Sequence, residues 1–228
     1  PAMCNLGYFY LHGIGVEKSG AEARRWLEQA AEQNHPRALY LLCIGWRDGD
    51  FGEKDNTKAL DHLKRSADAE FPPALCLLGY SYEMGELDLL ESKEKAVYYY
   101  RMAAERGNVT AQCNLGYCYM EGIGTKVDPG EAVRWFTAAA EQDYDRALHL
   151  LAECYRDGQG VKKDAAKALE LFTRAAENGY TESMFALGEY YNSGGLFQRN
   201  RKKALSWYEK AAEGGHREAR EKLKDLGK

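Results

Sequence analysis

The chain has little of what interrupts a fold or staples it: five prolines in 228 residues, six cysteines and no low-complexity stretch. Without a Pro-, Gly- or Ser-rich tract there is no linker, and one continuous domain over residues 1–228 is expected. No apolar run approaches the roughly 18 residues that a membrane-spanning helix needs. The net charge is −4, and Lys and Arg alternate with Asp and Glu instead of gathering into a basic stripe, which argues against nucleic acid as a partner. His12, His35, His62, His149 and His216 are scattered, none at metal-ligand spacing or beside a nucleophile, so neither a metal nor a cofactor is expected. Gly13-Ile14-Gly15 and Gly158-Gln159-Gly160 lack the third glycine and the lysine of a phosphate loop and read as turns.

What is present is repetition every 36 or 37 residues. Each unit opens with a small residue (Ala2, Ala38, Ala74, Ala111, Ala147, Ser183), followed four positions later by Leu6, Leu42, Leu78, Leu115, Leu151 or Leu187. Beside the leucine is a second small residue: Gly7, Cys43, Gly79, Gly116, Ala152 or Gly188. Three positions on comes an aromatic residue (Tyr10, Trp46, Tyr82, Tyr119, Tyr155, Tyr191), and three further a glycine suited to a left-handed helix end. This spacing predicts a first helix whose second small slot admits a neighbouring backbone.

A second helix follows in every unit. Ser19, Asp55, Ser92, Asp128, Asp164 and Asn200 read as N-caps, and Ser19 with Glu22 as a capping box. Alanine stands four positions after each cap. One turn later come the bulky pairs Trp26-Leu27, His62-Leu63, Tyr99-Tyr100, Trp135-Phe136, Leu171-Phe172 and Trp207-Tyr208, then pairs of small residues such as Ala139-Ala140. Large residues alternating with small ones are what two closely stacked helical layers require.

The strings Ala111-Gln112-Cys113-Asn114-Leu115-Gly116-Tyr117-Cys118-Tyr119 and Gly122-Ile123-Gly124, with Lys167-Ala168 and Trp207-Tyr208 ahead of Ala211-Ala212, resemble the Sel-1-like repeat family, a branch of the tetratricopeptide superfamily. The resemblance covers the whole chain. It implies an all-α, right-handed superhelical solenoid of six two-helix repeats, at about 1–36, 37–72, 73–109, 110–145, 146–180 and 181–216, with 217–228 as a polar capping helix. It further implies a non-catalytic scaffold or adaptor for a protein or peptide partner, with β-lactam binding or hydrolysis, associated with cysteine-rich relatives, as the alternative. Edge-to-edge self-association is a third reading.

Cys4, Cys43, Cys76, Cys113, Cys118 and Cys154 all fall in first helices, so the pairing within a repeat that the cysteine-rich branch uses has no second partner. Six free thiols are predicted, and they favour a reducing, cytoplasmic compartment. Pro1 reads as a cut within or just before a first helix, so a longer chain is expected, with any targeting signal ahead of it.

A longer period overlies the first. A shift of 109 positions carries Cys4-Asn5-Leu6-Gly7-Tyr8 onto Cys113-Asn114-Leu115-Gly116-Tyr117, and Arg47-Asp48-Gly49 onto Arg156-Asp157-Gly158, so any groove should carry two similar subsites. In tetratricopeptide-like arrays the unused first-helix positions line the concave face. Here they predict a protein-binding surface of Asn5, Tyr8, Tyr40, Arg47, Tyr80, Asn114, Tyr117, His149, Arg156 and Phe185, rich in the side chains of interface hot spots. Arg47-Asp48 and Arg156-Asp157 also read as local ion pairs. The apolar loops at Leu87–Leu90 and Leu196–Phe197 are a competing site.

Overall fold

The computed structural model describes residues 1–194 and 198–227. Among these there are thirteen α-helices and no strand. The first helices of the six repeats are α1 (Ala2–His12), α3 (Pro36–Asp48), α5 (Pro72–Met84), α7 (Val109–Glu121), α9 (Asp145–Asp157) and α11 (Thr181–Ser193). The second helices are α2 (Gly20–Glu32), α4 (Asn56–Asp68), α6 (Lys93–Glu105), α8 (Pro129–Ala140), α10 (Ala165–Glu177) and α12 (Arg201–Glu213), and α13 (Arg217–Asp225) follows.

Each hairpin is closed by one residue acting twice. The six predicted caps all accept from the backbone N–H three positions on, at 2.9–3.3 Å. Such a bond contributes about 1 kcal/mol. The cap's own N–H donates back to the carbonyl of the first-helix aromatic residue: Ser19 to Tyr10, Asp55 to Trp46, Ser92 to Tyr82, Asp128 to Tyr119, Asp164 to Tyr155 and Asn200 to Tyr191, at 2.8–3.0 Å. This corrects the capping box, because the Ser19 N–H is already used and Glu22 instead pairs with Arg25 at 2.7 Å. In four hairpins the residue three after the cap is a lysine whose ammonium lies 4.2–5.5 Å over that same aromatic ring: Lys58 on Trp46, Lys95 on Tyr82, Lys167 on Tyr155 and Lys203 on Tyr191. Before each turn the first helix ends at a glycine with φ between 66° and 83°.

The second small slot also works differently from the expectation. A Cβ built on Gly7, Gly79, Gly116 or Gly188 would lie 2.5–2.8 Å from the side chain of Leu27, Tyr100, Phe136 or Tyr208, the second member of the bulky pair in the same hairpin. The slot therefore receives mainly a side chain, with the Ala23, Ala96 and Ala132 carbonyls behind it at 3.1–3.2 Å. That second member is buried in all six hairpins: Leu27, Leu63, Tyr100, Phe136, Phe172 and Tyr208.

The helices gather into two compact units, Pro1–Ala111 with Ile123–Thr125, and Gln112–Gly122 with Lys126–Lys228. In the first, the hairpins α1/α2, α3/α4 and α5/α6 stack through α2 on α3 and α4 on α5. In the second, α8 to α13 each pack on the next. There α13 buries Ala219 against Tyr208, Ala204 and Ala211, with Leu223 and Leu226 alongside.

Candidate protein-binding face

The cores leave a set of first-helix side chains unburied, and in each unit they form the same cluster. On α1, Asn5 and Tyr8 lie one turn apart. Arg37, at the start of α3, donates from Nη1 to Asn5 Oδ1 at 3.3 Å, and its guanidinium lies 5.1 Å from the Tyr8 ring centroid. In the second unit Arg146, at the start of α9, donates to Asn114 Oδ1 at 3.2 Å and lies 5.5 Å from the Tyr117 ring. Each Asn thus joins the first helix of one repeat to that of the next. Cys4 and Cys113 lie beside these arginines: burial pushes both thiols up, Cys113 to about 11, against the opposing pull of Arg37 and Arg146. Arg37 and Arg146 were missed from sequence, although the 109-residue shift that aligns Asn5 with Asn114 aligns them too.

The other predicted site residues do not join these clusters. Tyr40 packs edge-on against Phe71, their rings 5.7 Å apart, and burial raises its pKa. Arg47 grips Asp48 through two bonds of 2.8 and 3.1 Å, which hold the carboxyl below its ordinary range. Arg156 grips Asp157 in the same two-bonded way and also donates to the Tyr190 hydroxyl. His149 shares a 2.9 Å bond with the Ser183 hydroxyl and stands against Phe172 and Tyr180. Burial lowers its pKa, opposed by the Glu153 carboxylate 3.9 Å away. Phe185 stacks on His216 at 4.3 Å. Tyr80 is 40% exposed and lines a groove of about 580 Å³ with Arg47, Lys54, Asn56 and Leu87.

A family model described as Sel1 repeat matches residues 1–35, 36–71, 72–108, 109–144, 145–180 and 181–216. The chain belongs to the Sel1 repeat family. The fold is correspondingly that of an all-α helical-repeat superhelix. A Sel1 repeat protein from Oxalobacter formigenes is 32% identical, with a TM-score of 0.82 over 92% of this chain and 84% of that one. The c5321 protective antigen of uropathogenic Escherichia coli is 30% identical, with a TM-score of 0.86 over 99% of this chain and 48% of its own. Chitin synthase regulatory factor 3 of Schizosaccharomyces pombe is 30% identical over 127 residues, which are 53% of this chain and 14% of that protein. The chain therefore spans a small part of this yeast relative and about half of the E. coli antigen. Sel1 repeats generally serve as protein-interaction scaffolds.

Within the Sel1 hairpins the remaining features are structural. Leu87 turns inward to 4% exposure while Leu90 is 89% exposed, so the third-repeat loop splits between packing and solvent. Leu196 and Phe197 lie outside the described residues. All six thiols are free and buried. Burial pushes Cys43 and Cys76 up to about 12, and Cys154 to about 11. Among the described residues no three His, Cys, Asp or Glu side chains are placed to hold a metal ion, and no helix is long and apolar enough to cross a membrane.

Proposed function

We propose that this Sel1 array is a non-catalytic adaptor that holds a protein or peptide partner on its first-helix surface, through Asn5 and Tyr8 in the first unit, where Tyr80 is also exposed, and through Asn114 and Tyr117 in the second. The observation that carries the reading is the twofold Asn–Tyr–Arg cluster, which the helical core does not use and which places polar donors beside aromatic faces. That composition suits the anchors of a protein interface. Arg47, Arg156, His149, Tyr40 and Phe185 contribute mainly by shaping this surface, since their side chains already bond or pack within the array. Buried thiols with raised pKa values are poor nucleophiles, which supports adaptor over hydrolase.

Photocrosslinking tests this. A benzophenone side chain in place of Asn5 or Asn114 gives discrete protein adducts in a native extract, and the same group in place of Tyr98, exposed on α6, does not. Equal adducts from Tyr98, or none from the first-helix positions, would sink the reading.

A further inference from the structure

Each of the two Asn–Tyr–Arg clusters carries a positive charge that no carboxylate among the described residues pairs with. Arg24, Arg25, Arg47, Arg134, Arg156 and Arg174 each lie against a carboxylate. Arg37 and Arg146 do not. Their polar partner among the described residues is one Asn oxygen, and each guanidinium rests on a tyrosine face. Arg201 and Arg220 also have no carboxylate partner among the described residues, but they donate to backbone carbonyls, of Leu226 and Ala212, whereas Arg37 and Arg146 recur at equivalent positions with an Asn side chain and a tyrosine face.

The register makes the arrangement specific. The Asn slot is filled elsewhere by Leu41, Leu77, Leu150 and Ala186, and the Arg slot by Pro1, Pro73, Thr110, Glu182 and Glu218. Only where a repeat with Asn and Tyr precedes a repeat with Arg do the three meet, and this happens in repeats 1 and 2 and again in 4 and 5.

We infer that each cluster is a receptor for one carboxylate of an extended, acidic peptide segment of a partner protein. The inference rests on the proposed first-helix binding reading and names the partner's chemistry. With its oxygen turned to the arginine, the Asn side chain has its amide N–H groups free to donate next to the guanidinium, so both present donors to a single planar anion. The tyrosine face and the Asn bond hold the guanidinium in place before the ligand arrives, which reduces the ordering cost of binding. One cation per cluster matches the single negative charge of a carboxylate. A phosphate dianion would bring a second charge with no second cation to meet it.

Fluorescence anisotropy on the full chain tests the inference, with three short fluorescein-labelled probes: a peptide alternating glutamate with serine, its glutamine counterpart, and a counterpart with phosphoserine in place of glutamate. The glutamate peptide should bind at least about tenfold more tightly than the glutamine peptide, roughly one charge-assisted hydrogen bond. Arg37→Gln and Arg146→Gln should each weaken it and the double variant abolish it, while Arg37→Lys with Arg146→Lys recovers part, since lysine keeps the charge but not the fork. Lys64→Gln, an equal charge change on the exposed side of α4, should leave binding unchanged. Equal binding of the glutamine peptide, equal damage from Lys64→Gln, tighter binding of the phosphoserine peptide, or arginine variants that lower only the thermal midpoint would overturn it. If the double variant fails to fold, the unmodified chain against the three peptides still decides. Should Asn5 and Asn114 crosslink to partners while the glutamate peptide does not bind, this inference fails alone; if those crosslinks are absent, the first-helix reading fails with it.

Discussion

At the scale of single residues, the array is governed by size and burial. The cysteines show it. A thiol placed among closely packed helices cannot ionise cheaply, and burial holds Cys43 and Cys76 near 12, from an ordinary value of 9.0. The sign of the linkage follows: below pH 9 the thiols are protonated in both states, and from pH 9 to about 12 only the unfolded chain loses those protons, so stability falls as pH rises through that window. The native protein should accordingly resist Ellman's reagent at pH 8 and yield six reactive thiols once denatured. Fewer than six would reveal a disulfide. The small slots, the leucines and the free thiols were all legible in the sequence, because helical periodicity alone assigns them to a face. What lay opposite the glycines was not. Periodicity shows that Gly116 needs room, but not that the Phe136 ring takes it.

At the scale of the hairpin, the N-cap is the residue on which two helices turn. Its side chain starts the second helix and its backbone N–H holds the end of the first. Replacing Asp164 with Ala removes the first bond and keeps the second, and a loss of about 1 kcal/mol in urea unfolding is expected, against a few tenths for Asp164→Gly. A loss as large for glycine as for alanine would mean that the backbone bond, rather than the cap, was disturbed. All six caps were readable because the chemistry is local, spanning three residues. The pairing of Asn5 with Arg37 spans 32 positions and crosses from one repeat to the next, and this is why slot-by-slot reading within a repeat passed over the arginines. His149 is a parallel case, since its bond to Ser183 spans 34 positions and lies outside any single repeat.

At the scale of the whole molecule, each unit is stabilised by neighbours stacked in order, so a loss at a free end should spread inward one helix at a time. In the second unit α13 covers Tyr208 with Ala219, Leu223 and Leu226, and is further tied by Lys222 to Glu189 at 3.0 Å. Truncation after His216 should destabilise that unit by about 2–4 kcal/mol, with hydrogen exchange accelerating first in α11 and α12. Uniform acceleration through α8, α9 and α10 as well would show that the unit opens in one step. The terminal helix was anticipated from its polar residues flanking two inward ones, though the structure ends it at Asp225.

Because each arginine is lent to the asparagine of the preceding hairpin, an Asn–Tyr–Arg cluster cannot be inherited one hairpin at a time. A copying event whose breakpoint fell between the first and second repeats, or between the fourth and fifth, would part donor from acceptor. The 109-position shift carries donor and acceptor along together, so the interval at which this cluster recurs is three hairpins long, while the folding motif recurs at every one.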